Sequence, residues 1–232
     1  MDESARSSGS IRAAAWLFIA AALSMVGYLI ISVTAGSDYE NDLDDTAKHL
    51  DVAVNKLPAS VNAVIVQDHT AYTIVTNIYL LLPPVLLLIA ALRLRGATRA
   101  PRYSAWSVDA GVVGLVVWWF YIALNFGLYA DANDLPPLVR DLDDLTVPLV
   151  SIMSVLTLLV AAFAGEATRR SGLLRRAAWA TLIVSVILLV LSAVEMIASG
   201  FDDPIPPLIF VPPGLILGIA LLVRKAPQPE SA

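Results

Sequence analysis

The chain reads as an all-α polytopic membrane bundle with six transmembrane helices, and three features lead there. Its 232 residues are 58% hydrophobic and only 15% charged, with a mean hydropathy of +0.74. A soluble domain carries about 25% charged residues and leaves a quarter or more of its unfolded surface in water, so a polar shell is beyond this chain. Six continuous apolar stretches recur, each close to the ~20 residues a helix needs to cross ~30 Å of hydrocarbon. Barrel strands would instead alternate in segments of about ten. Finally, the charges between the stretches are sorted by sign.

The first span, 13–35, follows Asp2, Glu3, Arg6 and Arg12. Its end, Val33-Thr34-Ala35, resembles a signal-peptide cleavage site. A signal h-region is only about 7–15 residues, so the longer run is read as a retained span. Segment 36–70 follows, where Leu43, Ala47, Leu50, Val54 and Leu57 make one helical stripe that Pro58 ends. With Asp44, Asp45 and Asp51 off the stripe, this amphipathic helix suits a roof over protein better than a bed of anionic lipid.

Span 2, 71–94, carries Pro83-Pro84 at mid-depth and leaves through Arg93, Arg95, Arg99 and Arg102. Span 3 covers 106–129. The connection beyond it repeats the amphipathic spacing at Leu135, Leu138, Leu142 and Leu145. Span 4 is 145–167, span 5 is 177–198, and Arg169, Arg170, Arg175 and Arg176 lie between them. Span 6, 205–223, is the shortest and contains Pro212-Pro213-Gly214. The cytoplasmic tail is 224–232, of which the stretch from Ala226 reads as disordered, and the whole of 1–232 is one transmembrane domain.

Twelve of the fifteen basic residues fall at the two termini and the two short connections after spans 2 and 4. The opposite side holds only Lys48, Lys56 and Arg140, against fourteen carboxylates. By the positive-inside rule both termini are cytoplasmic and segment 36–70 is extracytoplasmic, giving a multi-pass protein of the cell membrane.

Each odd span opens with Arg-x-x-Ala-Trp, at Arg12–Trp16, Arg102–Trp106 and Arg175–Trp179. Interfacial anchoring alone explains the phrase, with Arg at the headgroups and Trp at the apolar edge. A second match is less easily dismissed. Segment 125–138 aligns without a gap on 195–208, keeping a polar residue, an acidic turn and Pro-Pro-Leu in register. Together these suggest a weakly triplicated helical hairpin.

Polar residues within spans are the candidates for chemistry, because a charge at mid-membrane costs roughly 2.5–3.5 kcal/mol on insertion scales. Glu195 lies sixteen residues after Trp179, or about 24 Å along a helix, in the outer leaflet. With Asn125 and Asn77 it forms a candidate outward-facing polar vestibule for a cation; a wetted interfacial carboxylate is the simpler account. Glu166 has Arg169 and Arg170 at three and four residues onward, as an interfacial ion pair requires. Asp109 is placed in the first turn of span 3, where a negative charge suits the helix dipole.

Pro83, Pro84, Pro212 and Pro213 are candidate kinks, expected to free the carbonyls of Tyr79, Leu80, Leu208 and Ile209. Interrupted helices in matching positions point to transporter sites, but no span carries a charge at the midplane. Small-residue faces at Ala20/Ser24/Gly27 and Gly214/Gly218 fit close helix packing.

Asp45 and His49 could share a helix face, yet two histidines without a third ligand do not make a metal site. The acidic run at Asp42, Asp44 and Asp45 lacks the spacing of a calcium loop. Cysteine is absent, which removes disulfides, thiolate metal sites and a thiol nucleophile. No hydrolase, zinc-protease or phosphate-loop motif occurs, so neither an enzyme nor a cofactor is expected. A net charge of -5 argues against nucleic acid.

The expected role is therefore a non-catalytic accessory, scaffold or binding subunit of a bacterial plasma-membrane assembly. Its partners would be the bilayer and another membrane protein or a second copy of itself. The alternative is a small transporter or channel using the kinks of spans 2 and 6 and the Glu195/Asn125 vestibule.

Overall fold

The computed structural model describes residues 3–129, 145–199 and 205–224. All regular structure among them is helical. The long helices are α1 (Glu3–Ala35), α4 (Thr70–Arg95), α5 (Pro101–Tyr129), α6 (Thr146–Arg170) and α7 (Arg175–Ser199). Two short ones, α2 (Ser37–Leu50) and α3 (Ala59–Asp68), lie between α1 and α4, and α8 (Val211–Val223) closes the chain. Five helices are long and apolar enough to cross a membrane; Pro207–Val223 is apolar but shorter.

The neighbours form a closed ring: α1 packs on α4, α4 on α5, α5 on α6, α6 on α7, α7 on α8, and α8 back on α1. Helix α6 also touches α4 and α8, which makes it the innermost helix. Two clusters fill the bundle. The larger joins Phe18, Leu87, Leu94, Ala164, Leu217 and Leu221, and the smaller gathers Met25, Leu80, Trp118, Ile122 and Met153. Small residues permit the close crossings. A Cβ on Gly218 would lie 2.6 Å from Ile19 Cγ1 and 2.9 Å from the Ala15 carbonyl oxygen, so α1 and α8 approach each other at a true glycine position. Gly27 likewise admits the Tyr79 ring, with a Cβ there only 3.2 Å from Cε1.

The helices outrun the apolar stretches at their arginine-rich ends. Helix α5 begins at Pro101, a residue suited to a first helical turn because its missing N–H would have no partner there anyway. Asp109 therefore sits in the third turn of α5, exposed, and not in the first turn as its place in the apolar stretch suggested.

The amphipathic stripe of 43–57 is not one helix. Asp51 takes a left-handed conformation (φ 56°) and ends α2, as a short polar side chain can. The Asp51 and Val52 amides then close onto the Lys48 and Ala47 carbonyls. A 3₁₀ turn (Val54–Lys56) and Pro58 follow, and α3, which the stripe did not foretell, starts at Ala59. It is α3 that reaches over the spans, packing on α5. The shorter stripe expected at 135–145, and the Pro-Pro-Leu register of 136–138, fall almost wholly outside the described residues.

Candidate functional site

The three vestibule residues stand apart as far as they are described. Glu195 lies in the last turns of α7 and is exposed. Asn77 is buried on α4, where its Nδ2 donates to the Thr73 carbonyl of its own helix at 2.8 Å. Helix α7 packs on α6 and α8, whereas α4 packs on α1, α5 and α6, so Glu195 and Asn77 are not on paired helices. The side chain of Asn125 is outside the described residues.

The two proline pairs have different fates. Pro83 and Pro84 are buried inside α4, and Pro84 borders a void of about 10 Å³ together with Leu87, Gly111, Gly114 and Thr157. That is about the space of a single water. Pro212 and Pro213 do not interrupt a helix: they occupy the first turn of α8, directly after a 3₁₀ turn (Pro207–Phe210). A proline there forfeits no helical hydrogen bond. The Leu208 carbonyl, expected to be free, accepts the Val211 N–H.

Upstream, the irregular backbone is held by α6. The Ile205 N–H donates to Ser151 Oγ at 3.1 Å, and Ser154 Oγ donates to the Ile205 carbonyl at 2.5 Å. These serines escaped the sequence reading, although polar residues at 151, 154 and 157 share one face of an otherwise apolar span.

The arginine-rich end is tied together. Glu166 accepts from Arg169 Nε (2.7 Å) and Nη2 (2.6 Å) and from Arg170 Nε (2.6 Å), as the three- and four-residue spacing anticipated. Arg169 stacks on Trp179 at 4.7 Å, Arg170 on Tyr103 at 4.4 Å, and Arg102 on Trp106 at 4.5 Å. So within the repeated Arg-x-x-Ala-Trp phrase, Trp106 is covered by its own arginine, while Trp179 is covered by one from α6. The Arg99 N–H donates to Ser171 Oγ, and Ser10 Oγ donates to the Arg93 carbonyl, linking the turns of this end.

The opposite end is organised around α2 and α3. His69 Nε2 and Asp42 Oδ2 are 2.8 Å apart, and the Tyr39 ring meets His69 edge-on at 5.6 Å and Tyr72 at 5.3 Å. Burial, then the neighbouring Tyr72 and Tyr28 hydroxyls, push the Tyr39 phenol up to about 12. Asp45 pairs with Lys48 at 3.3 Å, so the histidine–carboxylate pair is His69–Asp42 and not His49–Asp45. Among the described residues no group of three His, Asp or Glu is placed to hold a metal.

Between α2 and α3 opens a cleft of about 710 Å³. Asp42, Asp45, His49 and Asp68 line it together with Leu50, Val61, Val64 and Ile65. Such a surface offers apolar contact and negative charge side by side. Compared with known proteins, the chain matches no family model, no curated protein and no solved structure.

Proposed function

We propose that the chain is a non-catalytic binding or accessory subunit of a bacterial plasma-membrane assembly, presenting the α2–α3 cleft outside the cell. The observation that carries this reading is the contrast between that open cleft of about 710 Å³ and the void of only about 10 Å³ at the α4 prolines. Sidedness supports it as well, since the arginine-rich turns collect at one end and positive charge is retained in the cytosol. In this reading Pro207–Val223 is a sixth crossing, and both termini are cytoplasmic. Four 3₁₀ residues at ~2.0 Å and thirteen α residues at ~1.5 Å reach about 27 Å, near the hydrocarbon thickness.

A transporter is the second reading, favoured by one observation. Non-helical backbone at Ile205 is buried and held by Ser151 and Ser154, the arrangement in which membranes tolerate broken helices. Purification in mild detergent separates the two. The subunit reading expects a companion in fixed stoichiometry, whose removal lowers the thermal midpoint of the chain. A monomer equally stable alone, whose flux in proteoliposomes is abolished by Glu195→Gln, would favour the transporter.

A further inference from the structure

The cleft is built from one face of each of two helices. On α2, Asp42, Asp45, His49 and Leu50 fall within a single arc of the 3.6-residue period, and Val61, Val64, Ile65 and Asp68 do the same on α3. The opposite face of α3 is already in use, because Ala63 and Val66 are buried and the helix is seated on α5. Its cleft face is therefore spare. Leu50 and Val64 are 45% and 48% exposed, although segment 36–70 carries seven carboxylates against two lysines. Leu50, Val61 and Val64 line one cleft, so they form a shared apolar strip and not scattered surface residues. Anionic lipid is a poor cover for it, since carboxylates line the rim.

We infer that the cleft receives a third helix, a basic amphipathic segment in the extracytoplasmic part of a partner protein. Its apolar stripe would rest on Leu50, Val61 and Val64, and its lysines or arginines would meet Asp45 and Asp68. Two helices meeting at an open apolar groove are completed by a third, the helix-in-groove mode of recognition. Charge complementarity selects a basic helix over an acidic one. The Lys48–Asp45 pair at the rim is highly exposed on both sides, so an incoming cation displaces it at little cost. This inference rests on the binding-subunit reading and names the site and the chemistry of its partner.

The test uses the full chain in zwitterionic nanodiscs and a fluorescent leucine–lysine amphipathic peptide the length of α2, fourteen residues. Saturable binding beyond empty nanodiscs is expected. Asp45→Asn with Asp68→Asn should weaken it about tenfold, and Leu50→Ser with Val64→Ser by a similar factor. Glu40→Gln with Asp44→Asn, on the far face of α2, should change it less than about twofold. All these side chains are exposed, and circular dichroism of each variant checks that the fold survives. Equal loss with Glu40→Gln/Asp44→Asn would reduce the effect to diffuse charge and overturn the proposal. So would indifference to Leu50→Ser/Val64→Ser, or binding no greater than to empty nanodiscs. A native companion that cross-links elsewhere, without peptide binding, sinks the cleft but leaves the subunit reading. Saturable, cleft-dependent peptide binding by a chain that purifies alone does the reverse.

Discussion

At the arginine-rich end, one carboxylate takes three guanidinium hydrogen bonds and three arginines sit over aromatic rings. At the acidic end, Asp45, His49 and Asp68 border an open cleft in which Leu50 and Val64 are half in water. Both ends are rich in charge, yet Glu166 at the first is closed off by two arginines, while His49 and Asp68 at the second line an open cleft. The difference is why the proposed binding site is the acidic end, and why Glu166 with its arginines is read as a fastening.

The largest expected effect follows from the fastening. Glu166→Ala strands two guanidinium groups at once and should lower stability by about 2 kcal/mol, tempered from the buried-pair value by the exposure of both arginines. Unfolding in a denaturing detergent series measures it. No loss would mean that the arginine end is not fastened by this cluster. At the acidic end Asp42→Asn removes the acceptor of His69, with a smaller expected cost of about 0.5 kcal/mol because the carboxylate is largely exposed.

Tyr39 sharpens the same contrast optically. Its phenol is raised in the folded chain, so folding favours the protonated form. The associated stability is complete below the ordinary tyrosine value of 10.0 and is lost as pH climbs through about 12. Titrating phenolate absorbance against Tyr39→Phe should show one late transition disappear; a difference spectrum that titrates near the ordinary value would contradict the buried placement. The smallest effect belongs to the cleft floor. Leu50→Ser and Val64→Ser should each shift the thermal midpoint by less than the equivalent of about 0.5 kcal/mol. A large loss would mean that the floor is structural and not a free surface.

Much of this fold is legible in the residues. Long apolar runs bounded by arginine mark five helices, because hydropathy over twenty residues is insensitive to local detail. Glu166 was legible too, since spacings of three and four fix the neighbours of a helical residue. Local backbone choices were not. The stripe from Leu43 to Leu57 keeps its period through Asp51, and periodicity does not register a single left-handed residue. Helix α3 spans only ten residues and uses both faces, one on α5 and one on the cleft, which blurs its pattern.

The second proline pair departs from expectation for a related reason. The same dipeptide lies inside a helix at Pro83-Pro84, where an established helix runs up to it, and at a helix start at Pro212-Pro213. The discriminating signal is upstream: Pro206 and Pro207 bias Ile205 and Pro206 away from α conformation, and Pro206 is indeed extended (ψ 139°). Glu195 and Asn77 could not be separated from sequence alone, because helix order in a ring is not written in hydropathy.

In the proposed orientation the acidic end, with its cleft, faces the medium while the arginine end stays in the cytosol. The chain has no cysteine, so single probes are clean. Asp44→Cys on α2 and Gly96→Cys in the turn after α4 are both exposed positions. With a membrane-impermeant maleimide on intact cells, Asp44→Cys should label at once and Gly96→Cys only after permeabilisation. The opposite order, or equal labelling of both, would contradict the account.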